Sequence, residues 1–207
     1  MNPVKPDRFG GTLFLVAGTA FGISAVLFFF ADVVRVQGLV RAAFSLLAIF
    51  FLAGLGCPST LSGDASSRSS FERWVVLFAT VGLAVGLVDS ARASYINTVL
   101  LPWPKELPAL FRRLDPLGIV IFPSIGLWVL ASSLRLRRLA ASWRKLGNIG
   151  LLCGVLLFAP PITEALAILR WTYFVPLFGV VVLLMAVTVC LWFGGIGLRL
   201  LKPPSAQ

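Results

Sequence analysis

WVVLFATVGLAVGLVDSARASYINTVLL, residues 74–101, is apolar along most of its length yet holds Asp89 and Arg92 near its centre. At 1.5 Å of rise per residue the stretch is longer than the ~30 Å of hydrocarbon in a bilayer. It reads as a membrane-spanning helix that has admitted two opposite charges. A charged side chain at such a depth costs about 2.5–3.5 kcal/mol on insertion scales, so its presence calls for a partner or a purpose.

Composition supports the bilayer reading. Of 207 residues, 58% are hydrophobic and 13% charged, too little polar surface to cover a water-soluble core. The sequence therefore predicts an all-α integral membrane protein. Six apolar runs, residues 12–31, 39–56, 72–101, 116–134, 147–169 and 173–198, predict a polytopic bundle of six transmembrane helices within residues 12–201. A polar segment, 1–11, precedes them and a polar tail, 202–207, follows. The first run is longer than a signal-peptide core and lacks a small-x-small cleavage pattern directly after it, so it is expected to be retained.

The net charge is +10. The basic residues lie in short loops between apolar runs, where they set topology, and nucleic acid is not an expected partner. With six helices, eleven Lys and Arg fall on the side of the termini and six on the other, with Arg92 inside. By the positive-inside rule both termini are expected in the cytoplasm of a bacterium, the protein being multi-pass in its inner membrane. Arg135, Arg137, Arg138, Arg144 and Lys145 supply most of that bias as a basic loop. They are expected to anchor topology and to touch anionic headgroups or a partner.

Histidine is absent, which excludes histidine-ligated haem, copper and zinc sites and histidine general bases. Cys57, Cys153 and Cys190 lie at or in separate apolar runs without metal or redox spacing and read as packing residues. No GxSxG, HExxH or carboxylate cluster is present, and no enzymatic activity or metal is expected. No cofactor is predicted. Bound lipid is expected, and contact of the phenylalanine-rich runs with a pigment or quinone stays open.

Ser69-Ser-Phe-Glu72 looks like a capping box opening the third helix. Gly82, Gly86 and Ser90 make a small-residue face that permits close helix approach, and Asp89 can share it. Asp89 and Arg92, three residues apart, can meet on one face. Glu164, beside Pro160-Pro161, and Asn97 complete a buried polar cluster. One reading is a structural ion pair locking helices; the other is a pathway for a proton, ion or small solute. Pro123 predicts a kink in the fourth run. Gly194-Gly195-Ile-Gly197 reads as a packing face or a flexible helix end.

Residues 107–158, with Asp115-Pro-Leu-Gly118, Pro123 and Trp143-Arg-Lys-Leu-Gly147, resemble small bacterial six-helix proteins of uncharacterised families. The resemblance covers about a quarter of the chain and implies no function. The expected role is a non-catalytic accessory or structural subunit of a larger bacterial membrane complex, a respiratory or photosynthetic one included, with other membrane subunits and lipids as partners. The alternative is a small transporter or proton-coupled carrier working through Asp89, Arg92 and Glu164.

Overall fold

The computed structural model describes residues 8–34, 70–99, 115, 118–139, 141–168 and 174–202. Six helices account for nearly all of them: α1 (Arg8–Val34), α2 (Ser70–Val99), α3 (Ile121–Leu139), α4 (Ala141–Leu156), α5 (Ala159–Ile168) and α6 (Phe174–Leu201). No strand occurs among the described residues. The expected second span, residues 39–56, lies outside them.

Among the described residues, two stretches are long and apolar enough to cross a membrane. Ala141–Ile162 has 22 residues with a mean hydropathy of 1.5, and Gly179–Leu201 has 23 with a mean of 2.4. Each reaches roughly 33 Å or more at helical rise, which matches the hydrocarbon thickness. Arg8–Ile23 is a shorter apolar stretch.

Helix α2 falls close to its expected bounds, and α1 and α6 extend theirs at both ends or one. The fourth run departs further. It was expected over 116–134 with a kink at Pro123, whereas α3 begins at Ile121 and runs to Leu139. Pro123 is the third residue of the helix, where an N–H would have no intrahelical acceptor, so its ring breaks no ladder bond. In the basic stretch 135–145, expected as a loop, residues 135–139 and 141–145 are helical, closing α3 and opening α4.

The fifth run is divided. The Leu157 N–H donates to Cys153 O at 3.0 Å, but the Phe158 N–H closes a tighter bond to Val155 O at 3.0 Å. Pro160 and Pro161 have no N–H to offer the carbonyls of Leu156 and Leu157. The ladder stops there and α5 starts afresh, with both prolines in its first turn, where they are tolerated.

Neighbouring helices pack antiparallel, and small residues set the distances. Added Cβ atoms at Gly126 and Gly154 would lie 2.9 and 3.0 Å from each other's carbonyl oxygens, so α3 and α4 touch backbone to backbone. Gly11 and Gly197 do the same for α1 and α6, at 3.0 and 2.8 Å. Helix α2 lies along α3, α4 along α6, and α5 against α6. Such closeness supplies van der Waals contact between the helices.

The centre is aromatic. Phe14 of α1, Trp128 of α3, and Trp192 and Phe193 of α6 are all buried. Their ring centroids stand 4.9–6.5 Å apart. Edge-to-face pairs of this kind contribute about 0.5–1.5 kcal/mol each beyond area burial.

Candidate functional site

The α2 face expected from its small residues faces α3. A Cβ at Gly82 would collide with the Ser124 hydroxyl and lie 3.0 Å from Val120 O, and one at Gly86 would meet the Ile121 side chain at 3.4 Å. At the far end Glu72 pairs with Arg135 at 3.2 Å. These three contacts fix one antiparallel register. Asp89, half-buried, is the next α2 residue along the face after Gly86 and stands level with the start of α3.

The start of α3 is built around a second carboxylate. Asp115, 6% exposed, accepts the N–H groups of Ile119, Val120 and Ile121 at 2.8, 2.9 and 2.9 Å. Gly118 donates to Asp115 O at 3.1 Å and accepts from the Phe122 N–H at 3.1 Å. Its φ of +66° is open to glycine at little cost. With Pro123 next, every early donor of the helix is satisfied or absent. A negative charge here also complements the helix dipole. The signal for this start lay in Asp115-Pro-Leu-Gly118 itself, an Asp three residues before a Gly that opens an apolar run.

The side chains of Ser90, Arg92, Asn97 and Glu164 lie outside the described part of the structure. The backbone carries the first three on α2 and Glu164 on α5. Helix α2 packs on α3, while α5 packs on α6 and α4. Among the described residues the helices that bear Asp89 and Glu164 do not run alongside each other.

Five helix ends meet at the opposite end of the bundle. Gly11 of α1 touches Leu200 and Leu201 of α6, Glu72 of α2 reaches Arg135 of α3, and Arg199 of α6 stands 5.1 Å over the Trp143 ring of α4. Arg8, Arg73, Arg135, Arg137, Arg138, Arg144, Lys145, Arg199 and Lys202 therefore share one end. Among the described residues Glu72 is the one carboxylate with them. Arg137, Arg138, Arg144 and Lys145 are exposed, and Arg135 is drawn inward by its pair. The sequence anticipated a concentration of positive charge here but not the Glu72–Arg135 contact; Ser69, the other half of the expected capping box, lies outside the described residues.

Comparison with protein-family models, curated proteins and solved structures finds no match.

Two polar atoms in the interior are buried without a partner: Ser133 Oγ of α3 and Trp192 Nε1 of α6. Both press on Gly150 of α4, where an added Cβ would collide with each. Cys153 and Cys190 are free thiols, and Cys190 Sγ donates to Gly18 O at 3.3 Å. Among the described residues, no three His, Cys, Asp or Glu side chains are grouped to hold a metal.

A recess opens on the surface between α1 and α6. Leu15, Gly18, Thr19, Gly22 and Ile23 of α1, with Cys190 and Gly194 of α6, line an open apolar groove of about 420 Å³. Gly194 faces space, with nothing within 4 Å of where its Cβ would stand. The Gly194-Gly195-Ile-Gly197 run is thus no frayed end, because α6 continues to Leu201. Its glycines serve three faces: the groove, the Leu146 side chain, and the backbone of α1.

Proposed function

We propose that the chain is a six-span, multi-pass protein of a bacterial inner membrane with both termini cytoplasmic. In this reading it is a non-catalytic accessory or structural subunit of a larger membrane complex. The carrying observation is the contrast between its interior and its walls. The interior between α1, α3, α4 and α6 is filled by Phe14, Trp128, Trp192 and Phe193, leaving no polar path among the described residues. The walls carry exposed Phe71, Trp74, Val81, Leu152, Val155, Leu183, Leu191 and Leu198. Such walls suit lipid and other apolar helices. The cations gathered at one end agree with a cytoplasmic face under the positive-inside rule. The separate packing of α2 and α5 weighs against a carrier site shared by Asp89 and Glu164.

Purification from the native membrane in mild detergent, followed by mass spectrometry of co-migrating proteins, tests the reading. A stoichiometric membrane partner is expected. A lone chain that catalyses solute flux in proteoliposomes, with flux lost in Asp89→Asn, would overturn it in favour of the carrier.

A further inference from the structure

The α1–α6 groove is open and apolar, and two exposed cations lie beyond its Leu15 end. Arg8 lies on the same side of α1 as Leu15, Thr19 and Gly22, since steps of seven, eleven and fourteen residues return close to one helical direction. Gly11 contacts Leu201, so Arg8, one turn before Gly11, lies at the level of Lys202, the residue just past the end of α6. Both are exposed. Lys5 and Asp7, just before Arg8 in the sequence, cancel in charge. From Arg8 to Leu15 the helix rises about 10 Å, and the groove then continues about 12 Å to Ile23. That order, two cations, an interval of glycerol depth, then an apolar trough, is the order of parts in an anionic phospholipid.

We propose that this groove binds one anionic phospholipid, its phosphate between Arg8 and Lys202 and an acyl chain along Gly18, Gly22 and Gly194. Charge complementarity selects the occupant. The Leu15 end of the groove points toward the end of the bundle where nine basic side chains accompany one carboxylate among the described residues, and each basic group near an anionic headgroup favours binding by about fivefold. A zwitterionic lipid would gain the trough but not this selection. A neighbouring transmembrane helix would fill the trough without using the cations. The absence of a side chain at Gly194 is what keeps the trough open beside the exposed Thr19 and Ile23.

The proposal rests on the membrane placement proposed above, which alkaline extraction of native membranes reads separately. Release of the chain by alkali would end the placement, while retention leaves the lipid site to be judged alone. The full chain in non-ionic detergent is mixed with equal amounts of palmitoyl-oleoyl phosphatidylglycerol and phosphatidylcholine, and retained lipid is counted by native mass spectrometry. The expected result is one phosphatidylglycerol per chain, preferred by roughly twentyfold or more for two cations. The double variant Arg8→Gln/Lys202→Gln should retain both lipids about equally. Gly194→Leu should lose both, and Thr19→Phe, at an exposed groove position, provides a second obstruction. Equal retention by the unmodified chain, a preference surviving the double variant, or retention unchanged in both groove variants would each overturn the proposal. So would an acidic protein found on Arg8 and Lys202 in place of lipid.

Discussion

Gly150 and Gly194 sit in similar sequence settings, each in an apolar helix with further glycines within four residues, and they do opposite things. Gly150 is sealed: Ser133 and Trp192 close over it, and α3, α4 and α6 meet there. Gly194 is open, with no atom near its missing side chain. Small residues in lipid bring backbones together only where a neighbour supplies something to fill the notch. Where none does, the same residue leaves a trough. Spacing alone does not distinguish the two; the facing side chain does.

The sharpest way to break this contrast is to add one methyl group to each site. Gly150→Ala forces a Cβ into Ser133 Oγ and Trp192 Nε1, and overpacking of this kind costs about 1–3 kcal/mol. Thermal unfolding in detergent should fall by several degrees. Gly194→Ala should stay within about 0.5 kcal/mol, as a change with no contact to disturb. Equal losses would show that the two glycines do the same work.

A second test compares the two ends of the α2–α3 pair. At the Asp89 end, Asp115→Ala leaves three N–H groups without an acceptor, and loss of a cap costs about 0.5–2 kcal/mol. At the basic end, Glu72→Ala removes a pair whose side chains are 30% and 33% exposed. Pairs of that exposure are worth about 0.2–1 kcal/mol and weaken with salt. Denaturation in low and high salt should therefore show a larger, salt-insensitive loss for Asp115→Ala and a smaller, salt-sensitive one for Glu72→Ala. Smallest of all is Cys190→Ser, which keeps a donor for Gly18 O and should leave stability nearly unchanged.

Sequence made the helical class legible, because long apolar runs separated by charges have few alternatives. Gly82 and Gly86, singled out in the sequence, seat Ser124 and Ile121, while the Ser90 side chain lies outside the described part of the structure. It misplaced α3 because Pro123 was read as an interior kink, when Asp115 and Gly118 had already arranged a helix start two residues earlier. It took 135–145 for a loop because charge in an apolar chain resembles a break. Those cations occupy helix ends, where backbone continues while side chains reach outward. Two features left little trace in the sequence. The Glu72–Arg135 contact joins residues 63 apart, and the groove depends on how far α1 and α6 stand apart beyond Gly11 and Gly197. The glycines of α4 at 147, 150 and 154 were readable at helical spacing and went unused.

Leu139 and Ala141 are separated by one residue, and that brevity bears on how the protein is made. In the membrane placement proposed above, a connection so short would bring α3 and α4 into the bilayer as a single hairpin, neither helix settling with its neighbour left on the far side. Arg137, Arg138, Arg144 and Lys145 lie at the joined ends of the two helices, and their reluctance to leave water would hold those ends on the side of synthesis. In that placement the hairpin would carry its own orientation signal, independent of how earlier segments are threaded. Lengthening the connection or neutralising the four cations should then disturb biogenesis before it disturbs the finished fold.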